Sequence, residues 1–323
     1  MSGYMSAPRP RVHASASHTA TIPVLFTCDA GYLHHTAACI ASLTRNNPDL
    51  HFTILIASVA AFGDLQDKFI RSFQETKNAT ITFRVFNFTS SVTLPLSLHY
   101  TAEVYIRLWI GELFPEYDRA IYLDPDLIVL GNVMDLWKTD LGDSVLGAVP
   151  TPGSTRPKIL GLPEGSLYFN SGVILFDLDR WRRMQCKERC LEHIQNHPEM
   201  IFEADQDVLN FCLASEWLPL PYKWNVINPF YFLSYDLQMT AEEIDQIRRD
   251  AKIIHFNGHS KPWNYLCNHP RRDEYWKYIR LTEWRDLPLA DHTFMNIVKN
   301  LVGRAVPPPL KRALRTFGVL SKL

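Results

Sequence analysis

The segment RAIYLDPD, residues 119–126, is a short apolar run that ends in two carboxylates. Its apolar residues are typical of a buried strand over 119–123, and Pro125 favours a bend directly after that strand. In parallel sheets, ligands bind beyond the carboxyl ends of the strands. The segment therefore predicts a strand that brings Asp124 and Asp126 to a ligand-binding edge of a sheet.

Two carboxylates one residue apart can share a hard divalent cation with the phosphates of a substrate. An ordinary acidic turn has the same composition, because proline and aspartate are both common turn residues. Taken alone, Asp124 and Asp126 leave both interpretations open.

Strand-like and helix-like segments alternate around this one. Strands are predicted over 23–28, 51–56, 80–86, 119–123, 173–176 and 251–255, and helices over 34–45, 65–73, 101–114 and 179–197, from 205 and from 240. The order predicts an α/β fold with a mostly parallel central sheet and helices on both faces. The last helix begins at Thr240-Ala241-Glu242-Glu243, which has the spacing of a capping box.

The composition is that of a soluble globular protein, with 323 residues, 46% hydrophobic and 21% charged. It excludes a disordered chain, a collagen-like repeat and a disulfide-stapled miniprotein. Residues 1–291 contain 27 basic and 34 acidic groups, whereas the last 32 residues contain six basic groups and no acidic one. Because the acidic body would repel phosphate backbones, we do not expect a nucleic-acid partner.

The compartment is predicted from what the sequence lacks. The N-terminal residues have no apolar core of the kind found in signal peptides, and no run of about 18 apolar residues could span a membrane. The six cysteines have no CxxC or zinc-ligand spacing, and Cys186 and Cys190 are expected to share a buried helix face in a reducing compartment. These features predict a cytoplasmic protein.

Two further polar clusters follow predicted elements. His255 ends the last strand, and a histidine there can add a nitrogen ligand while Lys261 neutralises phosphate. A core histidine and a solvated lysine are the alternative. Asp205-Gln206-Asp207 opens a helix, where acidic residues are favourable in any case.

Six motifs, in this order, closely resemble glycosyltransferase family 8, and most nearly its bacterial lipopolysaccharide galactosyl- and glucosyltransferases. They are FTCDAGY (26–32), YIRLWIGELFP (105–115), YLDPDLIVLGN (122–132), YFNSGVILFDLDRW (168–181), ADQDVLN (204–210) and HFNGHSKPW (255–263). The resemblance covers roughly residues 22–280. It implies a GT-A fold, with a Rossmann-like sheet and a small helical C-terminal region.

The resemblance also implies an activity. Members of the family transfer a sugar from a UDP-sugar with retention of anomeric configuration, here galactose or glucose from UDP-galactose or UDP-glucose to a saccharide acceptor. Lipopolysaccharide core or another cell-surface glycan or glycolipid is the expected acceptor. A divalent metal bridges the diphosphate, Mn²⁺ being favoured and Mg²⁺ the alternative, and Asp124, Asp126 and His255 match its ligands.

The same resemblance assigns donor-binding positions. Asp29 and Tyr32 match positions that bind the uracil, and Lys261 matches a position that contacts the diphosphate. The other residues that match donor-binding positions are His99, Arg107, Asp124, Asn170, Asp205, Gln206 and Gly258. Asp205 and Gln206 are the predicted catalytic residues. Front-face attack with a polarising Gln206 is favoured over a covalent intermediate. Pro150 stands where close relatives have an acidic residue, which leaves the donor sugar open.

Three parts of the chain are predicted: a flexible lead-in at 1–21, the catalytic domain at 22–282 and a helical, basic tail at 283–323. Leu310, Leu314 and Phe317 lie on one helical face among basic residues. This pattern predicts binding to an anionic membrane surface, which places the protein peripherally on the inner face of the cytoplasmic membrane. A solvated terminus without fixed structure is the alternative.

Two rival functions fit parts of the pattern. A self-glucosylating primer enzyme similar to glycogenin shares the motifs, but the ADQDVLN sequence and the basic tail argue against it. A non-catalytic nucleotide-sugar-binding protein is disfavoured because Asp124, Asp126, His255 and Lys261 are all present.

Overall fold

The computed structural model describes residues 21–88, 94–96, 101–232 and 236–298. The strands are β1 (Thr21–Thr27), β2 (His51–Ser58), β3 (Ala79–Val85), β4 (Arg119–Leu123), β5 (Leu127–Val129), β6 (Leu146–Pro150), β7 (Phe169–Asp177), β8 (Trp217–Pro219), β9 (Val226–Ile227) and β10 (Ile253–His255). The α-helices are α1 (Leu33–Arg45), α2 (Asp64–Ser72), α3 (Ile110–Leu113), α4 (Met134–Trp137), α5 (Arg156–Ile159), α6 (Leu178–Arg183), α7 (Cys186–Asn196), α8 (Ala204–Cys212), α9 (Ala241–Asp250) and α10 (Arg272–Ile279). Short 3₁₀ helices are Ala102–Trp109, Pro198–Met200, Tyr222–Trp224 and Asn228–Tyr231.

A seven-stranded sheet with the order β3-β2-β1-β4-β7-β6-β8 forms the centre of the protein. Only β7 runs antiparallel to its neighbours β4 and β6, whereas the other pairs are parallel. Side chains alternate across β1, so that Val24 and Phe26 lie in one hydrophobic cluster and Leu25 lies in the other. The predicted α/β fold with a mostly parallel sheet is confirmed.

A smaller sheet with the order β5-β10-β9 brings two distant polar segments together. Strand β5 begins directly after Asp126, and its first residue, Leu127, pairs with His255 at the end of β10. The backbone N–H of Phe256 also donates to the carbonyl of Asp126 at 3.1 Å. Pairing of these two short strands therefore fixes His255 beside the DPD segment.

Several predicted elements agree closely with the structure. Strand β4 has the predicted bounds, and the capping box at Thr240 and Glu243 starts α9 as expected. Cys186 and Cys190 are both buried on α7, as the shared helix face predicts.

Two predicted helices are wrong in detail. The helix over 179–197 is interrupted, because Gln185 adopts a left-handed conformation with φ of 51° that ends the hydrogen-bond ladder between α6 and α7. The helix over 101–114 is a 3₁₀ helix over Ala102–Trp109 followed by the single turn α3. Most of this segment is buried, so packing rather than helix propensity determines its geometry.

The C-terminal part of the described chain packs onto the body of the protein. The hydroxyl of Tyr275 on α10 lies 2.8 Å from Nδ1 of His35 on α1, and the ring of Trp284 lies 6.1 Å from that of Phe69. The described chain is therefore packed against the body at least as far as Trp284, which is buried. Among the described helices, none has both the length and the apolar composition needed to cross a bilayer.

Three predicted features fall wholly or partly outside the described residues. The lead-in over 1–21 does so except for Thr21, which is the first residue of β1. His99 and the amphipathic segment at 310–317 lie entirely outside.

Candidate active site

A cleft of about 360 Å³ opens at the carboxyl ends of β1 and β4 and beside the end of β10. Its volume is within the range of small-molecule sites. It is lined by every predicted site residue that the structure describes, namely Asp29, Tyr32, Arg107, Asp124, Asp126, Asn170, Asp205, Gln206, His255, Gly258 and Lys261. Residues from six separate motifs thus meet in one site.

Asp124, Asp126 and His255 form a compact cluster in this cleft. Nε2 of His255 lies 3.2 Å from Oδ1 of Asp126 and 3.7 Å from Oδ2 of Asp124. One ligand atom from each of the three side chains lies within 4.8 Å of the others. The structure therefore brings the three predicted metal ligands to a single point.

The orientation of His255 follows from a chain of amide hydrogen bonds. The backbone N–H of Gly172, which can only donate, lies 3.1 Å from Oδ1 of Asn170. The same oxygen accepts from Nδ2 of Asn225 at 2.8 Å, so Oδ1 of Asn225 faces Nδ1 of His255 at 3.0 Å. Nδ1 of His255 therefore donates to Asn225, and Nε2 is the ring nitrogen that faces the two aspartates.

This donor set fits a divalent cation. An imidazole nitrogen beside two carboxylates is a favourable arrangement when a proton or a cation lies among them. Gly172 provides the room: a Cβ atom there would lie 2.3 Å from Cε1 of His255 and 2.7 Å from Oδ2 of Asp124. Two carboxylates and one imidazole are suitable ligands for such a cation, so these three residues could hold it.

Lys261 supplies positive charge to the same cluster. Its Nζ contacts Oδ2 of Asp126 and donates to the carbonyl of Phe256 at 2.9 Å. Burial alone would raise the pKa of Asp126, but Lys261 and His255 outweigh it and lower that pKa far below its usual range. Burial likewise opposes the charge on Lys261, yet Asp126 raises the pKa of the lysine above its ordinary value. Both side chains therefore remain charged.

Arg107 connects this cluster to a second one. Its guanidinium is buried, donates from Nη2 to Oδ1 of Asp124 at 3.1 Å, and lies 3.1 Å through Nη1 from Oδ2 of Asp205. Nη1 also donates to the carbonyl of Ser171 at 2.7 Å, and the guanidinium lies over the ring of Tyr122 at 3.9 Å. Arg107 thus neutralises one carboxylate from each of two motifs.

The second cluster lies at the start of α8. Ala204 has a φ of 47°, an uncommon conformation for a residue with a Cβ atom, and it turns the chain into the helix. Burial raises the pKa of Asp205 to about 7, although Arg107 acts in the opposite direction. Oε1 of Gln206 accepts from Nδ2 of Asn170 at 2.9 Å and from the backbone N–H of Ser171 at 3.0 Å.

The far end of the cleft is aromatic. Oδ1 of Asp29 accepts from the backbone N–H of Tyr32 at 2.9 Å, and the ring of Tyr32 meets Trp263 edge to face at 5.9 Å. Gly258 lines the cleft with a φ of +71°, which favours glycine. A flat ring and a carboxylate at this end suit a planar, hydrogen-bonding group such as a nucleobase.

Four side chains or backbone groups in the site were not identified from the sequence. Tyr122, Ser171 and Gly172 lie inside the quoted motifs, so their position next to predicted ligands was a usable signal. Asn225 lies in a loop before β9 with no motif around it, and only the three-dimensional contact with His255 reveals it.

Comparison with known proteins identifies the family. The model of glycosyl transferase family 8 matches residues 23–267. General stress protein A of Bacillus subtilis is 33% identical over 199 residues, which cover 59% of this chain and 69% of that protein. Lipopolysaccharide 1,2-glucosyltransferase of Escherichia coli K12 is 27% identical over 281 residues, which cover 84% of this chain and 82% of that enzyme.

Solved structures agree on the fold. An active-site mutant of LgtC has a TM-score of 0.70 at 22% identity and covers 82% of this chain and 99% of its own. The bifunctional glycosyltransferase WbbM has a TM-score of 0.72 at 21% identity and covers 87% of this chain, which spans about half (52%) of the WbbM chain. The GT-A fold and the glycosyltransferase activity expected from the motifs are thereby confirmed. The chain belongs to glycosyl transferase family 8.

Proposed function

We propose that this glycosyltransferase is a retaining, metal-dependent hexosyltransferase that moves galactose or glucose from a UDP-sugar to a saccharide acceptor. The observation that supports this most strongly is the cluster of Asp124, Asp126 and His255 beside Lys261 in the cleft. The acceptor is proposed to be lipopolysaccharide core or a related cell-surface glycan, since relatives over most of the chain include a lipopolysaccharide 1,2-glucosyltransferase.

In this proposal the donor lies along the cleft from the aromatic end to α8. Asp29 and Tyr32 bind the uracil, Lys261 and the metal site hold the diphosphate, and Asn170 and Gln206 border the sugar. A divalent ion, with Mn²⁺ favoured and Mg²⁺ the alternative, would neutralise negative charge that develops on the leaving diphosphate. Lys261 would stabilise the same charge electrostatically.

The groups beside the sugar support front-face attack. Asp205 is paired with Arg107, and Asp207 is paired with Arg156, so both carboxylates near Gln206 are already held by arginines. The amide oxygen of Gln206 has partial negative charge and would stabilise positive charge at the anomeric carbon without forming a bond. We therefore assign Gln206 the polarising role and Asp205 the role of fixing Arg107.

The proposal also includes where the protein is located in the cell. Six basic residues and no acidic residue follow Asp291, and each cation near an anionic lipid surface contributes about 1 kcal/mol of binding. We infer peripheral association with the inner face of the cytoplasmic membrane through this tail. Co-sedimentation with anionic vesicles that is no greater than with neutral vesicles would contradict it.

A panel of UDP-sugars tests the proposed reaction. With Mn²⁺ present, we expect hydrolysis of UDP-galactose or UDP-glucose, and faster turnover when truncated lipopolysaccharide is added. Nuclear magnetic resonance of the product is expected to show the anomeric configuration of the donor. Turnover of no donor, or an inverted product, would refute the proposal.

A further inference from the structure

The carboxylate of Asp207 is fully buried and surrounded by donors. Its five donors are Nε and Nη2 of Arg156, the hydroxyl of Tyr168 and the backbone N–H groups of Phe202 and Glu203. The Tyr168 hydroxyl lies 2.8 Å from Oδ1 of Asp207. Because an ionised carboxylate only accepts hydrogen bonds, the proton of Tyr168 points at Asp207.

This arrangement determines which atom of Gln206 faces Tyr168. With its proton committed to Asp207, the phenol oxygen offers only lone pairs to its other neighbour. That neighbour is Nε2 of Gln206, which donates to the Tyr168 oxygen at 3.0 Å. Burial raises the pKa of Tyr168, as does the charge on Asp207, so the phenol keeps its proton.

A contact on the opposite side of the Gln206 amide independently indicates the same orientation. The backbone N–H of Ser171 lies 3.0 Å from Oε1 of Gln206, and a backbone N–H can only donate. Ser171 and Asn170 line the cleft, whereas Tyr168 is buried at 3% exposure. The amide therefore turns its oxygen to the cleft side and its nitrogen to the interior.

We propose that Tyr168, held by Asp207, is a positioning residue that keeps the amide of Gln206 in the one orientation that presents oxygen, not NH₂, to the donor sugar. This inference rests on the role proposed for Gln206. A reversed amide would place the positive end of its dipole against the positive charge that develops on the sugar. Tyr168 would thus affect the rate of transfer without contacting any substrate.

A double-mutant cycle on Tyr168→Phe and Gln206→Ala tests this directly. Loss of one hydrogen bond that fixes the amide is expected to lower kcat about tenfold. The KM for the donor is expected to stay within about twofold, because the amide change acts in the transition state rather than in ground-state binding. In the Gln206→Ala background, Tyr168→Phe should have no further effect on kcat.

Tyr278→Phe is a matched control. Tyr278 is buried like Tyr168, and its hydroxyl likewise accepts from a side-chain amide, Nδ2 of Asn46, at 2.7 Å. The pair lies between α1 and α10, outside the cleft. Tyr278→Phe is expected to lower the melting temperature about as much as Tyr168→Phe while leaving kcat unchanged.

The outcomes separate this inference from the proposed function. If Gln206→Ala lowers kcat but Tyr168→Phe does not, the positioning role of Tyr168 is refuted and the role of Gln206 stands. If Tyr168→Phe lowers kcat equally in the wild type and in the Gln206→Ala background, its effect is a general structural one, and the positioning role of Tyr168 is refuted. If Gln206→Ala keeps full kcat, the role proposed for Gln206 fails, and the inference about Tyr168 fails with it.

Discussion

Two acidic triplets with the same spacing have opposite arrangements in this protein. In Asp124-Pro125-Asp126 both carboxylates converge on His255. In Asp205-Gln206-Asp207 the two carboxylates diverge, one towards Arg107 and the other towards Arg156, and both contacts are ion pairs. The middle residue lines the cleft in both triplets, but it is a proline in a turn in the first and a glutamine on a helix in the second.

The difference follows from the element that each triplet occupies. The first triplet leaves β4 through a proline turn and enters β5, which pairs with the strand that ends at His255. The second triplet lies in the first turn of α8, where residues two positions apart point to different sides of the helix. An aspartate-x-aspartate pattern therefore indicates a metal site only where the local backbone lets the two side chains converge.

Arg107 joins the two triplets, and its removal is expected to have the largest effect on stability. Arg107→Ala would leave Asp205 buried without its partner and would remove a hydrogen bond from Asp124. Breaking a buried ion pair by removing one member costs about 3–5 kcal/mol. We expect urea unfolding at a pH above the Asp205 pKa of about 7, where that carboxylate is ionised, to show a loss of this size in the free energy of unfolding.

Arg183→Ala is the matched control for that experiment. Arg183 also pairs with an aspartate, Asp179, at 3.2 Å, but both side chains are more than half exposed. Exposed pairs contribute about 0–1 kcal/mol. Similar losses from Arg107→Ala and Arg183→Ala would contradict the link between the triplets.

The raised pKa of Asp205 predicts a smaller effect on stability, which tests the same difference between the two triplets. Burial raises its folded-state pKa from 3.8 to about 7, so the folded protein binds this proton more tightly than the unfolded chain. The stabilisation from this group is therefore complete below about pH 4 and is lost as the pH rises through about 7. Asp205→Asn is expected to remove this decline.

Urea unfolding at a series of pH values measures this pH-dependent contribution of Asp205 to the free energy of unfolding. The difference in unfolding free energy between the wild type and Asp205→Asn should change between about pH 4 and pH 7 and then become constant. A constant difference across the whole range would mean that Asp205 is ionised throughout and would contradict the effect of burial.

Much of the fold was predictable because local patterns determine it, whereas the site residues were predicted from the resemblance to the family. The apolar run before Asp124 gave the bounds of β4, and the Thr240–Glu243 spacing gave the start of α9. The resemblance of six motifs to the family named the eleven described site residues, and the fold brings them together in one cleft.

The remaining features depend on contacts between distant parts of the chain. Nothing local marks Asn225 as the partner of His255, and the partner of Asp207 is Arg156, fifty-one positions away. The left-handed Gln185 interrupts a sequence that otherwise has helical composition. Such features follow from packing, which no short window of sequence contains.

The central claim is that only the first triplet binds a divalent metal. Electron paramagnetic resonance of free Mn²⁺ during titration into the protein with UDP present measures binding to the wild type, Asp126→Asn and Asp205→Asn. We expect Asp126→Asn to weaken Mn²⁺ binding by at least about 100-fold, and Asp205→Asn to weaken it by less than about tenfold. Equal weakening in both variants, or weakening only in Asp205→Asn, would contradict the account.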